Sequence, residues 1–117
     1  YEADVAMTLN NLAILYRNTQ RFDIAEEYYL QSLEIRERLA KANPEAYEAN
    51  VAITLNNLAR LYSNTQRFDK AEEYFLRALE IYERLASQWP DVYAPILQIV
   101  QDNYQTAQLL KTMKAGE

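Results

Sequence analysis

The sequence holds no cysteine, no histidine, a single glycine and three prolines, and each scarcity excludes something. Without cysteine there are no disulfides and no thiolate metal sites. Without histidine the commonest general base and the usual zinc ligand are missing. No glycine-rich stretch can cradle a phosphate, so neither an enzyme nor a cofactor site is expected. So little turn-forming material excludes a sheet built of hairpins and leaves long helices in an all-α fold. No apolar run approaches the ~18 residues of a membrane span, and the opening YEADVAMTLNN is not a signal peptide. Cysteine-free composition says little about compartment; a cytoplasmic location away from membranes is the expectation. The missing initiator methionine suggests a piece of a longer chain. A formal charge of -5 argues against binding nucleic acid through the whole surface.

What the chain does contain is 50% apolar residues over 117 positions, enough for one domain with a real core, and a conspicuous repetition. The stretch TLNNLA stands at Thr8–Ala13 and again at Thr54–Ala59. An offset of 46 residues aligns Tyr1–Pro44 with Tyr47–Pro90, and 32 of the 46 positions from Tyr1 to Ala46 are identical to their partners. A third copy opens in phase at Tyr93 and soon departs from the pattern. Repetition of this kind defines the architecture: residues 1–46 and 47–92 are repeats, and residues 93–117 are a degenerate third copy acting as a capping helix.

Each repeat contains two helical patterns. Val51, Leu55, Leu58, Ala59 and Tyr62 recur at helical spacing, as do Val5, Leu9, Leu12, Ala13 and Tyr16. SNTQRFD interrupts the stripe that ends at Tyr62. Asn64 suits a helix end because asparagine tolerates the left-handed conformation. Asp69 with Glu72, and Asp23 with Glu26, have capping-box spacing at the start of the next helix. That helix carries Ala71, Phe75, Ala78, Leu79 and Leu85 and runs to Trp89 and Pro90, where proline disfavours continuation. Glu34 with Arg38 and Glu80 with Arg84 have the spacing of surface pairs along one helix. Each repeat is a helical hairpin.

The order Leu58, Ala59, Tyr62, Phe68, Ala71, Phe75, Ala78 resembles the tetratricopeptide repeat, in which small residues sit where two helices cross and aromatics lie between them. Leu12, Ala13, Tyr16, Phe22, Ala25, Tyr29 and Ser32 repeat the pattern. TLNNLARLY with RALEIYERL is similar to the subclass found in kinesin light chains. Two departures stand out: the repeat is 46 residues rather than the usual ~34, attributed to a longer second helix plus NPEAYEAN, and Gln20 and Gln66 replace the frequent turn glycine. Stacked repeats need capped ends. The tail PILQIVQDNYQTAQLLKTMK, with Pro95 near its start and Gln101 and Gln108 in place of apolar residues, reads as a solvating cap. The first helix has no cap around Thr8 and Leu15, so self-association through that face is a further expectation.

The resemblance implies that one side of each repeat's first helix lines a concave surface. That side holds Met7, Asn11, Ile14 and Asn18, then Ile53, Asn57, Arg60 and Asn64, then Ile99, Asn103, Thr106 and Leu110. A row of amides beside apolar residues suits an extended peptide, because each asparagine offers a donor and an acceptor to a peptide unit. The implied binding residues are Asn11, Ile14, Asn18, Ile53, Asn57, Arg60, Asn64 and Asn103. For Asn11 and Asn57 ligand contact leads over a structural tie. For Asn10 and Asn56, nearer the core stripe, the order is reversed. The function implied is a module binding a segment of a partner protein; the alternative is a structural or oligomerisation scaffold whose repeats stack on other repeats.

Overall fold

A computed structural model describes residues 1–117 as five helices and no strand: α1 Glu2–Asn18, α2 Phe22–Ala42, α3 Pro44–Asn64, α4 Phe68–Gln88 and α5 Pro90–Ala115. Helix accounts for 91% of the residues, the all-α helical-repeat fold that the composition and the periodicity imply. None of the helices is long and apolar enough to cross a membrane.

The connections are short because each is made by one special residue. Between α1 and α2, and again between α3 and α4, the chain reverses at Gln20 and Gln66, both at φ 63°. These glutamines, and not Asn18 or Asn64, take the left-handed conformation, so the two asparagines remain the last residues of their helices. The expected capping boxes do not form. α2 and α4 begin at Phe22 and Phe68, which leaves Arg21 and Arg67 as caps without a side-chain bond and puts Asp23 and Asp69 inside the first turn, where a carboxylate still complements the helix dipole. Between α2 and α3 a single residue suffices: Asn43 accepts from the Ala46 amide at 3.3 Å, and Pro44 occupies the first helical position, where its missing N–H costs nothing. NPEAYEAN is therefore mostly the opening of α3, and the long repeat arises because both helices of the hairpin are extended. Pro95 stands inside α5.

Each helix packs on its neighbours in sequence, and α3 also touches α5. Ala13, Ala25, Ala59, Ala71 and Ala78 are fully buried or nearly so, which lets the backbones approach closely. Tyr29, Tyr62 and Phe75, with Leu55, Leu58 and Leu61, fill the space between them. Arg38 and Arg84 do not pair along their own helix. Arg38 reaches Glu2 at 3.3 Å and Arg84 reaches Glu48, tying each second helix to the first of its hairpin.

The 46-residue register continues through α5. Leu97, Val100, Tyr104 and Ala107 take the inward places of Val51, Thr54, Leu58 and Leu61, while Gln105 and Gln108, at the places of Ala59 and Tyr62, face solvent. The opposite end is bare. Thr54 and Leu61 are 0% exposed, whereas their equivalents Thr8 and Leu15 are exposed, Leu15 to 56%.

Candidate functional site

α1 and α3 are the first helices of the two hairpins, α5 continues their register, and equivalent positions of each face solvent. Met7, Asn11 and Asn18 are exposed and Ile14 is half-buried on α1; Ile53, Arg60 and Asn64 are exposed and Asn57 is half-buried on α3; Ile99, Thr106 and Leu110 are exposed and Asn103 is half-buried on α5. Steps of four and three residues return to one side of a helix, so the residues singled out on each helix share one side of that helix. On α1 the row alternates apolar and amide groups, on α3 Arg60 puts a guanidinium where the first copy has Ile14, and on α5 Asn103 is the one amide.

Four polar side chains lock α3 behind this row. Asn10, only 6% exposed, accepts at one oxygen from the Thr54 hydroxyl and from the Asn57 side-chain amide, both at 3.3 Å. Thr54 in turn accepts from Arg36 at 2.9 Å, and Arg36 also donates to the Asn50 carbonyl at 3.2 Å. Burial lowers the pKa of the Arg36 guanidinium. Asn10 thus ties one repeat to the next. Asn57 belongs to the same tie through its amide nitrogen while lying on the solvent-facing row. At the following junction Val100 stands in place of Thr54 and Tyr82 in place of Arg36. The buried Asn56 oxygen, equivalent to that of Asn10, has no donor there, and burial pushes the Tyr82 hydroxyl up to about 12.

Two guanidiniums act on a buried hydroxyl beside the row. Tyr29, fully buried on α2, has its hydroxyl pKa raised by burial, while Arg17 and Arg60 pull it the other way; both guanidiniums therefore act on the same point. Arg17 donates to Asn18 at 3.3 Å. Lower on α2, burial alone would raise the Glu26 carboxyl. Hydrogen bonds from Arg67 and Tyr62, with the charges of Arg67 and Lys70, outweigh burial and hold it below the usual carboxylate value.

No group of histidine, cysteine, aspartate and glutamate comes together in a way that could hold a metal. The two largest recesses lie off the row. One, of about 420 Å³, is bounded by Pro44, Ala49, Leu85 and Trp89; the other, of about 530 Å³, by Leu33, Glu37, Tyr74 and Arg77. The row is thus an open face and not a pocket, an arrangement suited to a chain laid across it.

A search of the curated proteins found no match. A sequence model of the tetratricopeptide repeat matches residues 4–84, from the first turn of α1 to the last turn of α4. That span covers most of both hairpins, including the small buried residues and the aromatics between them. The chain belongs to the tetratricopeptide repeat family, whose repeats generally mediate protein–protein interactions.

Proposed function

We propose that this chain binds an extended segment of a partner protein across α1, α3 and α5, with Asn11, Ile14, Asn18, Ile53, Asn57, Arg60, Asn64 and Asn103 as the contact residues. One observation carries the reading: at matching repeat positions α1, α3 and α5 each present to solvent an asparagine beside an apolar side chain, Asn11 with Met7, Asn57 with Ile53 and Asn103 with Ile99. Main-chain amides of a ligand would pair with the asparagines. An apolar side chain would meet Ile14, and an acidic group would meet Arg60, with Arg17 near the edge. With few repeats contributing, affinity is micromolar or weaker. The runs TLNNLARLY and RALEIYERL support placing the repeats in the kinesin-light-chain-like subclass, and a cytoplasmic setting fits a module of this kind.

The test is selection from a library of random extended peptides, followed by titration of the winners against variants. Arg60→Glu is expected to weaken binding and to make the residual affinity rise with salt, because repulsion would then be screened. Selected peptides indifferent to Arg60→Glu and Asn11→Ala would reject the reading. A scaffold role in which repeats stack on other repeats is favoured by a different observation, the exposure of Thr8 and Leu15.

A further inference from the structure

Two polar clamps hold α2 on α3. At the first, the Glu26 carboxylate accepts from the Tyr62 hydroxyl at 2.8 Å and from Arg67 at 2.8 and 3.2 Å, with the Arg67 guanidinium 4.5 Å above the Tyr62 ring. At the second, ten residues further along α2 and so about 15 Å away, Arg36 donates to the Asn50 carbonyl and to Thr54. Val51, Leu58 and Leu61 lie buried between the clamps.

α1 and the turn after it repeat this seat almost letter for letter. Val5, Thr8, Leu12, Leu15, Tyr16 and Arg21 stand where α3 and its turn have Val51, Thr54, Leu58, Leu61, Tyr62 and Arg67. Yet the α1 seat is uncovered: Thr8 and Leu15 are exposed, and the exposed Arg21 is in no ion pair. Tyr62, held by Glu26, meets Tyr74 edge-on at 75°, whereas Tyr16 lies flat on Tyr28 at 16°. One change adds to the fit. Asp4 replaces Asn50, putting a carboxylate at the position whose carbonyl receives Arg36 in the occupied seat.

We propose that the outer face of α1 seats one kind of helix, which carries a glutamate and, ten positions on, an arginine, as α2 does, and which belongs to a further helical hairpin stacked ahead of α1. A second copy of this chain does not supply that helix. Its α2 is enclosed by α1 and α3, and its α4 carries Glu72 but Tyr82 in place of the arginine and is covered by α5. The α4–α5 junction shows the companion change, since Val100 replaces Thr54 and Gln108 replaces Tyr62. Tyrosine and valine stand at the α4–α5 junction where α2–α3 has the bonded arginine and threonine, and Thr8, a hydroxyl like that of Thr54, marks the α1 seat as the arginine-accepting kind.

The test is the full chain carrying an added copy of residues 1–46 ahead of Tyr1, which continues in natural phase. Amide hydrogen exchange in α1 is expected to slow at least tenfold, towards that of α3, with one unfolding transition in denaturant. Arg36→Tyr in the added copy alone is expected to lose most of that protection, and Thr8→Val in the original copy to restore it by recreating the tyrosine–valine pair. Thr8→Val against the unaltered added copy is a second mismatch that keeps the test open if the tyrosine variant folds poorly; it too is expected to lose protection. Unchanged α1 exchange in the extended chain, or equal protection from matched and mismatched pairs, would overturn the proposal.

Discussion

Replacing Thr54 by valine removes one hydroxyl from a fully buried position while keeping the shape of the side chain. The lost oxygen is the acceptor for Arg36 at 2.9 Å and the donor to Asn10 at 3.3 Å. A hydrogen bond to a charged group is worth about 1.5–3 kcal/mol and a neutral one about 1 kcal/mol. Arg36 keeps the Asn50 carbonyl and Asn10 keeps the Asn57 amide, so neither group is stranded, and the net loss is about 2–3 kcal/mol. For a chain of this length total stability is about 6–17 kcal/mol, and that loss lowers the melting temperature by roughly 6–15 °C. The assay is urea denaturation followed by far-UV circular dichroism. Adding Arg36→Tyr to Thr54→Val reproduces the Tyr82–Val100 pair of the next junction and is expected to recover at least half of the loss. A single substitution within about 0.5 kcal/mol of the parent, the range of inert surface changes, would refute this reasoning, as would a double variant whose cost is the plain sum of the two.

Gln66→Gly is expected to stabilise by about 0.5–1 kcal/mol by relieving a left-handed backbone at a non-glycine residue; a lower melting temperature would contradict this. Val100→Thr combined with Tyr82→Arg restores the arginine–threonine pair of the preceding junction and gives the buried Asn56 oxygen a donor, so the double variant is expected to raise stability by about 1 kcal/mol in urea titrations, while a comparable loss would count against the proposed register of the tie. The pKa of Glu26 is lower in the folded state than the ordinary value of 4.5, so its stabilising contribution is complete above that value and disappears as pH falls through the folded one. Glu26→Gln is therefore expected to cost stability at neutral pH and to flatten the acid limb of a stability–pH profile; a variant with the parent's slope would contradict it.

The hairpins were legible because their signal is local and written twice. The stripes from Val5 to Tyr16 and from Val51 to Tyr62 need only the helical period, and the side of the helix that holds Asn11 and Asn57 follows from the same arithmetic. Helix starts were misplaced by two residues because the caps are Arg21 and Arg67, which carry no capping signature; Glu26 and Glu72 then resembled capping-box partners of Asp23 and Asp69, although Glu26 serves Tyr62 and Arg67. The tie among Arg36, Thr54, Asn10 and Asn57 was illegible for a deeper reason. Its members come from three helices, and an arginine in an amphipathic helix reads as a surface residue when it is in fact 7% exposed. One sequence signal does mark it. Arg36 becomes Tyr82 between two copies that otherwise agree closely, and such an isolated departure from a repeat singles out a position whose surroundings differ between the two junctions.

The central claim, that a partner segment lies across α1, α3 and α5, is tested most directly by mapping amide chemical shifts while a library-selected peptide is titrated into nitrogen-labelled protein. The largest changes are expected at Asn11, Asn57, Arg60 and Asn103, including the side-chain amides of the asparagines, with α2 and α4 nearly silent. Changes confined to α2 and α4, or to the outer face of α1 around Thr8 and Leu15, would contradict it.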